Sequence, residues 1–408
     1  MKDESPAAPS HSSLILHPSS LREHWLLDPS VAYLNHGSFG ATPRVVVQQQ
    51  QEWQRRMEVE PVQFLVRELE PLLDGVRSDL GRLIGASPDD LAFVPNATSG
   101  VNAVLRSLRL SAGDELLVTD QEYNACRNAL NYIAARTGAR VTVVAIPFPL
   151  RSPDVVVERV LGAVTDDTRL LLIDHITSQT ALIMPVQRIV AELTARGIDT
   201  LIDGAHVAGQ IAVDLRAIGA AYYTGNLHKW VCAPKGAAFL YVRSDRRDDI
   251  HPIVISHGLN STRTDRSRFH LEFDWPGTFD PSAWLAAGEA LRFLPSLVDG
   301  GWAEVMERNH ALALRARDTL CAALHIEKPA PDDMLGAMAS VPIPDGKPGD
   351  AASVFGDPLQ DELFDRFRIE VPVMPWPSPP KRLLRVSAQL YNTPQEYDKL
   401  ADALCRLL

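Results

Sequence analysis

The sequence predicts an α/β protein: a large domain on a mostly parallel mixed sheet, followed by a smaller α+β C-terminal domain. Three observations carry this. Short apolar runs alternate with helix-length segments from about residue 65 to residue 245. Those runs are almost continuously apolar, as strands covered by helices on both faces must be. After about residue 280 the alternation stops, and a long helical region precedes a short helix–strand–strand–helix order.

In chain order, residues 1–30 read as an N-terminal tail or arm. Their first twenty residues lack the basic start and long apolar core of a signal peptide. Residues 31–280 form the expected large domain. Within it, ELEPLLDGVRSDLGRLIGA (68–86) spaces Leu69, Leu72, Leu73, Val76, Leu80 and Leu83 at three- and four-residue steps, one face of a helix closed near Gly85. LAFVP (91–95) is a short strand, and SGVNAVLRSL after it a helix. ELLVTD (115–120), RVTVVAI (140–146), RLLLID (169–174), TLIDGA (200–205) and AAFLYV (237–242) are further strands. Residues 281–408 form the expected small domain. It comprises a helical region over 281–326, a Pro-, Gly- and Asp-rich stretch over 328–358, the helix LQDELFDRF, the strands IEVPVMP and RLLRVSAQLY, and a terminal helix. The N-terminal segment is expected to join it.

The 408 residues are 46% hydrophobic, enough for two domains with a sizeable core. A net charge of −11 without basic clusters argues against nucleic acid or an anionic membrane as partner. No apolar run is long enough to span a bilayer. Four scattered cysteines with no CxxC predict a cytoplasmic protein with no disulfide framework and no metal site.

In such sheets ligands bind beyond the carboxyl ends of the strands. Thr98, Tyr123, Asp174, Asp203 and Lys229 all stand where apolar runs stop. There is no GxGxxG after a strand and no GxxxxGK[ST], so dinucleotide and P-loop readings lack their phosphate-binding parts. PNATSGVN (95–102) offers another phosphate site, with Thr98 and Ser99 at a helix's positive end, or else an ordinary helix cap. Asp203 closes an apolar strand, where a buried carboxylate needs a cationic partner such as a protonated pyridine nitrogen, or serves as a cap. Lys229 follows 26 residues later, placed to form a Schiff base with a cofactor aldehyde. Phosphate hole, buried aspartate and lysine, in that order, are what pyridoxal 5′-phosphate requires.

NLHKW, TLIDGAH, NATSGVN, DQEYNA and WPGTFDPSAW together resemble the fold-type I enzymes of the class V aminotransferase superfamily, and within them the isopenicillin N epimerase-like group. The resemblance runs from YLNHGSFGATP (33–43) to RVSAQLYN (385–392). It implies the pyridoxal-phosphate-dependent transferase fold and a homodimer with shared active sites. Lys229 would be the Schiff-base lysine and general base, Asp203 the partner of the pyridine nitrogen, and His206 its neighbour. Thr98, Ser99, Asn226 and His228 would contact the phosphate, joined by Thr278 from the other subunit. Tyr123 takes the place of a ring-stacking histidine. Ser178 stands where related desulfurases carry an asparagine near the ring hydroxyl. Arg385 would grip the substrate carboxylate, and Asn35, His36 and Gly37 would form a substrate-side loop, unless His36 contacts only backbone.

The implied reaction starts with removal of the Cα proton of a small-molecule amino-acid substrate. Epimerisation is the leading expectation, with Tyr123, His36 and His206 as candidates for the second acid. A C–S β-lyase of the hercynylcysteine sulfoxide lyase type and an aminotransferase are the alternatives. Cysteine desulfurase is disfavoured: no cysteine stands in 341–384, Cys405 lies beyond Arg385, and Cys232 reads as a core thiol. The complete set of Lys229, Asp203, His228 and Arg385 argues against a non-catalytic relative. The arginines of 255–275 could line a polar pocket or meet a dimer mate.

Overall fold

Seven strands build the central sheet: β1 (Leu91–Val94), β2 (Glu115–Thr119), β3 (Arg140–Val144), β4 (Thr168–Asp174), β5 (Asp199–Asp203), β6 (Tyr222–Asn226) and β7 (Ala238–Val242). This computed structural model describes residues 21–347 and 356–408, so residues 1–20 of the expected tail and 348–355 of the Pro-rich stretch lie outside the described residues. The strand order is β1-β7-β6-β5-β4-β2-β3. Every pair is parallel except those of β7, which runs antiparallel to β1 and β6. The sheet is therefore mostly parallel and mixed, as the alternation predicts.

Side chains of one strand alternate between two cores. Leu171 and Ile173 of β4 join one cluster and Leu170 and Leu172 the other. With no face of β4 left for water, an unbroken apolar run is required. The expected helix over 68–86 forms at Leu69–Ile84 and ends at Gly85, whose φ of +63° closes it in the left-handed region.

Three elements differ from expectation. Strand β6 was not foreseen: Tyr222–Asn226 ends in Gly-Asn, residues that read as a turn, yet all five are buried. A Cβ on Gly225 would lie 2.6 Å from the Phe239 ring, so the strand needs glycine to pack there. The helical region 281–326 is two helices, Ser282–Ser296 and Gly301–Ala323, parted after Pro295 by Gly300 and by Gly301 at φ +62°. The first packs on the helices Arg44–Val59 and Leu69–Ile84, with Trp284 stacked on Phe93 of β1. The stretch 328–358 contains a strand, Met338–Ile343, on the edge of a three-stranded antiparallel sheet with Arg382–Ser387 central and Val373–Pro375 opposite. An edge tolerates its Pro342.

The N-terminal segment does join this part of the chain: Ala32 and Tyr33 pair in parallel with Ile369 and Glu370. No helix among the described residues is long and apolar enough to cross a membrane.

Candidate active site

The parallel strands aim their carboxyl ends at one edge of the sheet, and the polar residues collect there. β5 ends in Asp203, with Asp174 of β4 and Thr224 of β6 beside it in register. The chain leaving β6 turns through Leu227 and His228 to Lys229.

Lys229 is anchored through its backbone. Its carbonyl accepts from Cys232 N–H at 3.0 Å and from His36 Nε2 at 3.0 Å. Gly40 lies directly against it: a Cβ there would sit 2.0 Å from the His228 carbonyl oxygen and 3.0 Å from Lys229 Cα, at a φ of +69°. Lys229 Nζ meets His206 Nε2 at 3.0 Å. The Trp230 indole, which can only donate, points at His206 Nδ1 from 3.5 Å. With the indole donating to Nδ1, His206 carries its proton on Nε2, where it can donate to Lys229 in the fraction whose amine is uncharged. The electrostatics enlarge that fraction without discharging the amine at neutral pH. Burial first, and then Arg385, lower the Lys229 amine to about 8, against the opposing pull of Asp203 and Asp174. Burial and the Lys229 charge hold His206 well below the usual histidine range.

Asp203 is 1% exposed. Its Oδ1 accepts from Ala205 N–H at 2.9 Å and its Oδ2 lies 3.1 Å from the Cys126 thiol. Burial pushes its carboxyl up; the thiol, the amide and Lys229 pull it down. Asn96 caps the helix Ala97–Ser107, accepting from the Ser99 amide and hydroxyl, and Asn226 Oδ1 accepts from Ala97 N–H at 2.8 Å. The cap is thus Asn96, leaving Thr98 and Ser99 partly exposed on the first helical turn, where backbone donors face outward. His228 Nδ1 contacts the Ala237 carbonyl, and burial with the Lys229 charge lowers it to about 4. Tyr123 precedes the helix Asn124–Thr137 and stays 44% exposed, its phenol pushed up by burial of the rest.

Arg385 is 2% exposed. Its Nη1 donates to the Ser178 carbonyl at 2.6 Å and weakly to the Ser178 hydroxyl; its Nη2 donates to Ser38 Oγ at 2.9 Å and Asn35 Oδ1 at 3.4 Å. Two other fully buried arginines have acids: Arg77 pairs with Asp74 and Asp274, and Arg317 with Asp318 and Asp332. Among the described residues Arg385 pairs with none, and burial lowers it to about 10.

Neither His36 nor Thr278 bonds the Lys229 amine within this chain. His36 is fully buried with both ring nitrogens engaged, Nδ1 by the Tyr391 hydroxyl at 2.9 Å and Nε2 by the Lys229 carbonyl, and burial lowers it to about 3. It braces the lysine's backbone and has no nitrogen left for a substrate. Thr278 is exposed on the loop between Asp274 and Ser282, with no hydrogen bond to the Lys229 cluster among the described residues. Sequence reasoning gave no role to Glu122, Cys126 and Trp230. Their signal was position, since each flanks a strand-end residue already singled out. Side-chain atoms of Glu122, Cys126 and Asp203 lie within 4.8 Å of one another, the grouping among the described residues tight enough for a metal ion.

The aminotransferase class-V family model matches residues 32–400. The chain belongs to the class V aminotransferase family. It is 38% identical to the isopenicillin N epimerase of Amycolatopsis lactamdurans over 95% of this chain and 98% of that one. It is 32% identical to a probable chloroplastic L-cysteine desulfhydrase of Arabidopsis thaliana, over 92% and 83% of the two chains. A solved lysine-to-alanine variant of C-DES, with glycine covalently linked to its pyridoxal-phosphate cofactor, superposes with a TM-score of 0.77 at 21% identity, covering 94% and 98% of the chains. This class V protein therefore has the fold of pyridoxal-phosphate-dependent enzymes, is itself such an enzyme, and uses pyridoxal 5′-phosphate. Its residues fit that cofactor: an amine lowered to about 8, a buried carboxylate in the same pocket, and a helix N-terminus with outward-facing donors.

Proposed function

We propose that this enzyme inverts the Cα of an amino-acid substrate. The observation that carries the reading is the 38% identity to isopenicillin N epimerase over almost the full length of both chains. Bound pyridoxal 5′-phosphate makes the substrate's Cα proton acidic by drawing electrons into a protonated ring.

The chain's own residues do the rest. Lys229 holds the cofactor and, once its amine is free, takes the Cα proton; an amine near 8 keeps a useful neutral fraction at neutral pH. Asp203 would pair with the ring nitrogen and keep it protonated. Thr98, Ser99 and the positive end of their helix would hold the phosphate, flanked by Asn226 and His228 and joined by Thr278 of a second copy. Tyr123 would cover the ring. His206 positions the Lys229 amine through its Nε2 proton. Arg385 takes the substrate carboxylate: a buried guanidinium without an acid favours an incoming anion. Ser178 and Ser38 hold it in place.

Inversion needs a second acid to return a proton to the opposite face. His36 is sealed off and His206 stands with Lys229, so Tyr123 takes this role. The enzyme acts as a cytoplasmic homodimer. Ile253, Val254, Ile255 and Leu259, each about half exposed, supply apolar surface for its interface.

The L-cysteine desulfhydrase relative favours a second reading, β-elimination from a cysteine-type substrate. One experiment separates them: incubation with amino acids and cysteine conjugates in deuterated water. Inversion with deuterium at Cα supports the epimerase. Pyruvate release makes it a lyase, and dependence on an added oxo acid makes it an aminotransferase.

A further inference from the structure

We propose that Glu122 and Asp174 form one acid pair that shares a single proton, and that the one negative charge they keep stands behind Asp203 and holds the proton on the cofactor's ring nitrogen. Both are positioning residues that act through Asp203. The inference rests on the reading that Asp203 faces that nitrogen.

Three carboxyl groups converge at the carboxyl edge of the sheet. Asp174 and Asp203 end the adjacent strands β4 and β5 in parallel register, so their side chains leave the same side of the sheet. Glu122 stands three residues beyond Thr119, the end of β2. The three are 6%, 2% and 1% exposed in the order Glu122, Asp174, Asp203. No N–H or hydroxyl of the described residues reaches either oxygen of Glu122 or Oδ2 of Asp174. Buried oxygens are seldom left in that state. The Glu122 carboxyl lies within 4.8 Å of Asp203, whose register neighbour is Asp174, and carboxyls crowded together out of water hold a proton between them rather than all ionise.

The proton belongs to Glu122. Burial and the Asp203 charge push both carboxyls well above the carboxylate range, but Asp174 is pulled back by Glu122, the Tyr123 amide and Lys229, whereas Glu122 is pulled back only by Arg127. The Cys126 thiol, on the first turn of its helix, lies 3.1 Å from Asp203 Oδ2 and close to Glu122 as well. The remaining groups facing the cluster are the Lys229 ammonium and the Arg385 guanidinium in the pocket, Arg127 beside Glu122, and the phenols of Tyr123 and Tyr223. His175, next to Asp174, is tied to the Tyr223 hydroxyl at 2.9 Å and kept neutral by burial.

The cluster thus keeps two negative charges, one on Asp203 and one on the pair. Asp203 alone, with an amide and a thiol already donating to it, is a weakened base. The charge behind it strengthens its hold on the ring's proton against loss to solvent.

Two variants isolate charge from shape. Glu122→Gln removes only the shared proton and lets an amide N–H donate to an Asp174 that keeps its charge. The double variant Glu122→Gln, Asp174→Asn keeps a hydrogen-bonded pair of the same shape with no charge. Asp174→Asn alone is avoided, because the charge can then move to Glu122. The readouts on purified, cofactor-loaded protein are the cofactor dissociation constant and the pH midpoint of the bound cofactor's visible absorbance, with melting curves confirming the fold. In cofactor-free protein, the pH dependence of Lys229 acylation gives a measurement independent of loading.

The single variant should match the unmodified protein. The double variant should bind the cofactor about tenfold more weakly and lower both pH midpoints by about one unit. A double variant with unchanged midpoints, or a single variant shifted as far as the double, overturns the proposal. An unmodified protein that takes up no cofactor overturns the reading of the site instead.

Discussion

Lys229 Nζ lies 3.0 Å from His206 Nε2, and the Trp230 indole donor on the far side of the imidazole sets which nitrogen carries the proton. Two basic groups in one buried pocket cannot both be charged, so the imidazole stays neutral and the amine is held near its working state.

The depressed amine predicts how the cofactor-free protein responds to pH. Between about 8 and 10.5 the unfolded chain carries a proton on Lys229 that the folded chain has released. The unfolded state then binds more protons, so stability rises with pH across that window; below it, the penalty of the buried charge is present in full. Lys229→Met should erase this rise and add up to roughly 2–3 kcal/mol below pH 8. Urea melts of both cofactor-free proteins across that range measure it. In loaded protein the same substitution should abolish the covalently bound cofactor's absorbance and cut turnover by at least ~10²-fold.

Arg385 predicts opposite effects on stability and function. Arg385→Met removes a buried cation that has no acid, and should leave the cofactor-free protein as stable or about 1 kcal/mol more stable. The same variant should lose substrate binding, with kcat/KM down ~10²-fold or more, and Arg385→Lys should not restore it, since one ammonium cannot take both carboxylate oxygens. Thermal melts beside steady-state kinetics settle both halves.

Gly40→Ala should damage the site from a distance. The added Cβ meets the His228 carbonyl at 2.0 Å, and the position's φ of +69° disfavours any side chain. A loss of about 2–4 kcal/mol in stability is expected. Cofactor occupancy should fall with it, because the displaced backbone is that of Lys229; absorbance titration with added cofactor reads this directly.

Tyr123→Phe should divide the reaction in two. Lys229 can still take the Cα proton, so exchange with deuterated water continues, while inversion slows by ~10²-fold. Proton NMR beside chiral chromatography distinguishes the two rates; equal loss of both would remove Tyr123 from the role of second acid.

The sequence made the strand-end cluster legible because apolar runs report where strands stop, and Asp203, Thr98 and Tyr123 each stand at or just past such a stop, while Lys229 was legible from its motif and its spacing from Asp203. β6 stayed hidden because Gly225 and Asn226 read as turn residues, and only the Phe239 ring pressed on Gly225 explains the glycine. His36 was visible as a motif residue, but its partners, the Tyr391 hydroxyl and the Lys229 carbonyl, come from far along the chain and leave no local signal. Glu122 was overlooked because a charged residue after a strand ordinarily faces water. Its burial depends on Asp174, which is remote in sequence and adjacent only through the sheet.

Arg385 is held by Asn35 and Ser38 near one end of the chain, Ser178 in the middle, and its own strand near the other. During synthesis, then, the two abilities arrive at different moments. A nascent polypeptide that has left the ribosome as far as β7 already contains Lys229 and Asp203, the residues proposed to hold the vitamin-derived group. Recognition of a substrate waits until residue 385 has emerged and folded back, so the substrate side of the pocket is the last part of the site to be completed.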